Sequence, residues 1–376
     1  MRNLPENLYS IKGHNFDAFE LPQVKEVRGK EYMYYGAKNL FPQELIRLYD
    51  SSSMHHTCVD AIRDGIFGDG INIFGDEYVN GKGETLDEIF AKVALDYTLF
   101  NGYALNVIWN KEGSRIVQIY HLPFSQVRSG KIDEDGEVNE YFYSTDWTNV
   151  RKHPAVPYKA FDPTDTKKDN ASQIYYCFNY TPGVETYPLP TYIAGINDIE
   201  LDHRISVFHN ANISNGIHPS LFINFRNGIP SEEERSQIYR ELDRTFSDVE
   251  SAGKFFLGFS EPGKETEVTP IESANDDYYV ILEQRIQSRI LTSHRITSPL
   301  LLGVQSGSGF SSNAEEIAIA YKHFESTVVE PKRKKILSTM GYILRFFGLN
   351  VALTVEPKSL IIEETTVNDE ETNIID

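Results

Sequence analysis

Residues 275–348 read NDDYYVILEQRIQSRILTSHRITSPLLLGVQSGSGFSSNAEEIAIAYKHFESTVVEPKRKKILSTMGYILRFFG: a helix, a glycine-rich loop and a long helix in succession. Asn275 or Asp276 supplies an N-cap, and Tyr279, Leu282, Ile286 and Ile290 recur at three-to-four spacing to give one apolar stripe. The helix is expected to stop near Ile296, because Ser298 precedes Pro299 and is pushed out of the α region. After Leu300-Leu301-Leu302-Gly303 and Val304 come Gln305, Ser306, Gly307, Ser308, Gly309, Phe310, Ser311 and Ser312, a small and polar loop whose glycines can take positive φ. Ser312-Asn313-Ala314-Glu315 fits a capping box, and Ile317, Tyr321, Phe324 and Val328 carry the apolar face of the helix it opens. Pro331 predicts a kink rather than a stop, since Ile336, Met340, Ile343 and Phe347 resume the spacing.

The chain around this stretch has 376 residues, 40% hydrophobic and 12% aromatic, which excludes a disordered chain and allows one elaborate domain or a few intertwined ones. Its 55 acidic and 36 basic residues leave a net charge of −19, the wrong sign for tight binding along a nucleic-acid backbone. Cys58 and Cys177 are the only cysteines, so no disulfide framework is implied and a reducing compartment is expected. The first residues lack a signal-peptide core, and no window approaches the run of about eighteen apolar residues that a membrane span needs.

Upstream, Phe41 to Ile66 carries helical signals, with Phe41-Pro42 at its start and Met54, Cys58, Ala61 and Ile62 on one face. Gly68-Asp69-Gly70 turns into a short strand at 71–74. Thr85-Leu86-Asp87-Glu88 is a second capping box, opening a helix that Gly102 is expected to end. A hairpin of Tyr103–Trp109 and Arg115–Leu122 follows, then strands at 140–144 and 173–180 separated by a Pro/Asp/Lys-rich loop over 154–170. A helix over 191–215, roughly 37 Å at about 1.5 Å per residue, has a narrow apolar stripe with polar sides. Strands over 220–226, 254–259 and 265–271 flank a helix opened by the capping box Ser231–Glu234, with a turn at 260–263 between the last two strands. A compact β-α-β-β insert between two helices sets those helices side by side and antiparallel. A last strand is expected at 349–355.

Thr297-Ser-Pro-Leu-Leu-Leu-Gly303, the Gly/Ser loop, Asn313-Ala-Glu-Glu316 and the basic Glu330-Pro-Lys-Arg-Lys-Lys335 resemble, in order and spacing, the C-terminal half of tailed-bacteriophage portal proteins. A looser match runs from Leu40 to Pro357. The resemblance implies an α+β protomer: a wing over 1–190, a stem helix over 191–215, a clip over 216–274, a second stem helix over 275–296, a tunnel loop over 297–312, the rest of the wing over 313–357, and an acidic tail over 358–376 in place of a helical crown. It further implies a dodecameric ring at a capsid vertex that conducts double-stranded DNA and docks terminase, the major capsid protein and head-tail adaptors. The virion, and the host cytoplasm during assembly, are the implied locations, with no membrane, no cofactor and no catalysis. Residues 305–312 would then face the channel. An acidic chain suits such a conduit, because weakly repulsive walls let a polyanion slide.

Several groups invite other chemistry. His56 and Asp60 share a helix face at i, i+4 beside His55, which would suit a metal-dependent hydrolase, yet no third ligand stands at a recognisable spacing. Gly303, Gly307 and Gly309 lack the Gly-Lys-Ser/Thr that a nucleotide loop requires, so at most the 313 helix start touches phosphate weakly. Arg285 and Arg289 repel at i, i+4 unless they meet acids of the other stem helix, Asp198, Glu200 or Asp202, within or between subunits. Lys332, Arg333, Lys334 and Lys335 form the one dense basic run, a solvated turn or a DNA contact. The rival readings are a ring-forming virion protein without a DNA channel and the hydrolase of His55, His56 and Asp60.

Overall fold

A computed structural model describes residues 21–72, 75–165, 171–214, 221–225, 230–246, 255–259, 267–270, 276–304 and 314–357. In chain order its elements are β1 (Val24–Lys25), β2 (Tyr34–Tyr35), α1 (Phe41–Ser51), α2 (Ser53–Phe67), α3 (Leu86–Phe100), β3 (Gly102–Trp109), β4 (Ile116–Leu122), β5 (Val127–Ser129), β6 (Glu140–Tyr143), β7 (Val156–Ala160) and β8 (Ser172–Phe178). The second half continues with α4 (Ile196–Ser214), β9 (Leu221–Phe225), α5 (Glu232–Phe246), β10 (Phe255–Phe259), β11 (Glu267–Pro270), α6 (Asp276–Ser293), α7 (Ala314–Phe324) and α8 (Glu330–Phe347).

The first long helical signal splits in two at Ser52. Ser52 leaves the helical region with φ −105° and ψ 113°, and its hydroxyl accepts from the His55 backbone N–H to cap α2. The 85–88 capping box forms as expected, with Glu88 Oε2 accepting from Thr85 N–H at 3.0 Å and Thr85 Oγ1 from Glu88 N–H at 3.2 Å. It opens α3, whose Leu86, Ile89, Phe90, Val93, Ala94, Tyr97, Leu99 and Phe100 are all buried. The chain leaves α3 through Asn101 in the left-handed region, φ 64°, so the glycine expected to end the helix instead begins β3.

The main sheet has the order β4-β3-β8-β7-β6-β5, antiparallel except for the β7–β8 pair. β7 lies inside the stretch read as a loop, where Pro, Asp and Lys masked a short strand. Of the strands expected at 71–74 and 349–355, the described residues form one bridge, Ile71 with Val355, so the two segments do find each other, while residues 73–74 lie outside the described residues.

α4 is shorter than the expected helix, because Ile193–Gly195 winds as a 3-10 turn before it. A small sheet lies between Ser214 and Asp276 in sequence. Its central strand β9 pairs parallel with β10 and antiparallel with β11. Parallel neighbours need a crossover, and α5 supplies it. Ser231 and Glu234 make the expected capping box at its start. The last two strands therefore flank β9 on opposite edges and do not form a hairpin with each other.

The largest apolar core joins α1, α2 and α3 to one face of the main sheet and to the inner residues of α4, α6 and α8. No described helix is long and apolar enough to cross a membrane.

Candidate functional site

The α4 and α6 helices run antiparallel and touch most closely where α4 begins and α6 ends. A Cβ on Gly195 would lie 2.5 Å from the Ser293 Cβ, so only glycine permits that approach. Ile196, Ile199 and Ile205 on one helix, and Ile286, Ile290 and Leu291 on the other, are buried in the shared core. The outward faces keep apolar residues in solvent, with Val207 53% and Phe208 43% exposed on α4, and Val280 52% and Ile281 50% exposed on α6.

Five residues were expected to link these helices, and one pair does so directly. Arg289 Nη1 lies 3.2 Å from Asp198 Oδ1, within the protomer. Glu200 is taken by Arg47 of α1 and, at 2.7 Å, by Arg204 one turn along α4. Asp202 is buried and accepts from the Ser52 hydroxyl at 2.7 Å, so it ties α4 to the cap of α2. Arg285 is exposed, and no ion pair between it and an acid of α4 forms among the described residues. The sequence separated i, i+4 neighbours correctly, but long-range competition from Arg47 and Ser52 was not visible in it.

Beneath the helix pair sits a histidine joint. His55 Nδ1 and His294 Nε2 are 2.9 Å apart, both rings are buried, and Tyr192 stacks on His294 with ring centroids 4.8 Å apart. Burial pushes the His55 imidazole down to about 3, and His294 also lies well below its ordinary value, first from burial and then from its neighbours His55 and Lys332. His56 points elsewhere, stacking on Tyr49 and standing 3.4 Å from Asp60. Asp60 is bonded to Tyr49 and Arg63 as well. The two histidines of the metal candidate thus diverge, and no group of three metal-binding side chains forms among the described residues.

Beyond His294 the chain turns through Arg295 at φ 62°, caps a short 3-10 turn over Pro299–Leu302 with Ser298, and leaves it at Gly303, φ 73°. Residues 305–312 and the start of the capping box at Ser312 and Asn313 lie outside the described residues. Helix α7 then passes into a π turn over Glu325–Val329, in which the Glu330 N–H donates five residues back to the Glu325 carbonyl. The expected kink is this turn. Pro331 offers no N–H and its ring crowds the carbonyl four residues earlier, which the wider π turn relieves.

The basic run divides. Arg333 is 6% exposed, so within the protomer its side chain is turned inward rather than offered to a passing duplex. Its guanidinium donates to the Gly65 and Ile66 carbonyls at the end of α2 and pairs with Glu325 at 2.7 Å. It satisfies the carbonyls that a helix C-terminus leaves unpaired. Lys332 is half-buried, 5.7 Å from the Tyr97 ring centroid. Lys334 and Lys335 remain exposed. Sequence reasoning missed His294, Arg295 and Arg47; the His-Arg pair directly after the apolar stripe of α6 was the available signal.

No protein-family model matches the chain, and no curated protein is similar enough in sequence to count as a relative. Solved structures do share its architecture. A chain in the virion of a native gene transfer agent (GTA) particle superposes with a TM-score of 0.56 at 14% identity, covering 84% of this chain and 83% of that one. A chain in the neck of the empty GTA particle, computed with C6 symmetry, gives 0.56 at 14% identity over 86% and 85%. One in the neck of the native particle, computed with C12 symmetry, gives 0.55 at 16% identity over 84% and 83%. An HK97 family phage portal protein from Corynebacterium diphtheriae is also similar, with a TM-score of 0.47 at 12% identity over 79% and 89%. The chain therefore has the fold of a protein found in GTA particles. The mixed helix and sheet class expected from the sequence is the class found.

Proposed function

We propose that the protein is a portal: a ring-forming virion component, dodecameric at a capsid vertex, through which double-stranded DNA is packaged and ejected. In this reading α4 and α6 are the stem that walls the channel, the β9-α5-β10-β11 module is the clip that docks terminase and later the head-tail adaptor, and the main sheet with α1, α2, α3 and α8 is the wing against the major capsid protein. Residues 305–312 constrict the channel. The observation that carries the proposal is the antiparallel α4–α6 pair, whose helices end at Ser214 and begin again at Asp276 with a three-stranded sheet between them in sequence, and which keeps apolar side chains exposed on both helices. A lone protomer gains nothing from such exposure, whereas neighbours in a ring would cover it. The fold shared with a GTA neck component whose structure was computed with C12 symmetry supports the same reading.

Electron microscopy of the purified protein tests it. Rings with a central pore wide enough for duplex DNA are expected. Solid particles or simple dimers would rule the channel out, and rings too narrow for a duplex would favour a virion ring without a DNA path.

A further inference from the structure

A groove of about 810 Å³ runs between α8 and the extended segment 350–357. Lys334, Leu337, Gly341 and Arg345 line its helix wall at three-to-four spacing, so one face of α8 borders it over about 17 Å at about 1.5 Å per residue. The opposite wall is strand-like but has no strand beside it. Leu353 and Val355 turn in against the main core, Ala352, Thr354 and Glu356 are exposed between and beyond them, and Val355 makes the bridge to Ile71. Residues 350–353 pair with no strand among the described residues. Gly341 is a second, independent observation. Glycine is a poor helix former, yet this one sits in the interior of α8. A Cβ there would meet nothing within 4 Å, so no contact among the described residues asks for glycine. A main chain passing close over the helix would ask for it. Lys334 and Arg345 stand at the two ends of this stretch, both exposed and without an ion pair among the described residues, and Glu330 is the one exposed acid of the lining.

The sequence holds a segment of matching chemistry. After Pro357, which lines the groove, the chain continues Lys358-Ser359-Leu360-Ile361-Ile362-Glu363-Glu364, with three apolar residues followed by two acids. Five extended residues at about 3.3 Å each cover the same span of about 17 Å. We infer that residues 360–364 of a second copy of this chain lie extended in the groove, edge to edge with 350–354, their apolar side chains over Leu337 and Gly341 and their acids at one of the two cations. The inference rests on the ring reading and adds to it a tail exchanged between neighbouring subunits. A second copy is favoured over the chain's own tail, because re-entering the groove requires a tight reversal just past Pro357. Such reversals draw on Gly, Asn or Asp, and residues 358–367 contain none of these.

Engineered disulfides in rings of the full chain test this. Protein carrying Gly341→Cys is mixed with protein carrying Ile361→Cys, assembled, and treated with a mild disulfide-forming oxidant; Leu360→Cys and Ile362→Cys are run alongside to cover the register. The native Cys58 and Cys177 are buried, so they compete little. A species of twice the protomer mass, in which peptide mapping joins position 341 of one chain to the tail of another, is expected. In parallel, Gly341→Leu fills the groove. It should leave the melting temperature of the protomer unchanged or raised, while its rings dissociate at tenfold or higher protein concentration than wild type. Disulfides that form only within one chain, when both substitutions are placed in it, overturn the inference in favour of the chain's own tail. Rings that give no cross-link at any of the three positions, or that are as stable with Gly341→Leu as without it, overturn it and leave the ring reading intact. Failure to form rings under any condition overturns the ring reading, and the inference with it.

Discussion

The histidine joint makes the stability of the protein depend on pH in a calculable way. In an unfolded chain His55 takes up its proton near pH 6.5, whereas in the fold the buried ring resists protonation until about pH 3. Because the folded value is the lower one, the unfolded state binds more protons between these limits, and folding stability falls as pH drops below 6.5. At pH 5, about 1.5 units below the free value, His55 alone withdraws about 2 kcal/mol relative to neutral pH. His294, displaced in the same direction and 2.9 Å away, adds to the loss. Guanidinium denaturation followed by tryptophan fluorescence at pH 7.5 and 5.0, on wild type and on His55→Gln/His294→Gln, isolates this contribution. Acidic groups common to both proteins cancel in the difference. The wild type should lose at least about 2 kcal/mol more than the double variant over this interval. Equal losses would refute the account of the joint as a buried, neutral pair.

Three further outcomes follow from the packing. Arg333→Met removes the group that satisfies two carbonyls of α2 and leaves the half-buried Glu325 without its partner, so it should destabilise the fold by about 3 kcal/mol in thermal denaturation; a change below about 1 kcal/mol would contradict that role. Gly195→Ala forces its new methyl against Ser293 and should cost about 1–3 kcal/mol, with Ser293→Gly restoring much of it; additive losses in the double variant would show that the two residues do not meet. Arg289→Glu sets like charges against Asp198 at the exposed face of the helix pair. It should change protomer stability by no more than about 1 kcal/mol but impair ring assembly, and an unchanged oligomer in native mass measurement would remove the pair from the subunit interface.

Local rules reached most of the fold. The capping boxes at Thr85 and Ser231, the hairpin of β3 and β4, and the apolar spacing of α6 and α8 are short-range patterns, and each is present in the structure. What stayed hidden depended on distance in sequence. The break at Ser52 is favoured because its hydroxyl also serves Asp202, 150 residues away. The strand at 156–160 exists because β6 and β8 offer it partners on both sides. Arg333 looked like its basic neighbours until the end of α2 was placed beside it. The same holds for the site: His55 and His56 adjoin in sequence, but their rings point to different partners.

The π turn ahead of Pro331 has a mechanical corollary. On one side α8 is bolted to α2 through Arg333, and Gly65 admits Val329 so closely that the junction cannot slide there. On the other side α7 continues from a coil of wider pitch, whose spacing can revert to ordinary winding by exchanging a few main-chain bonds. Such a seam behaves as a torsional fuse: twist applied to the leading helix is absorbed as a slip in winding before it reaches the anchored half.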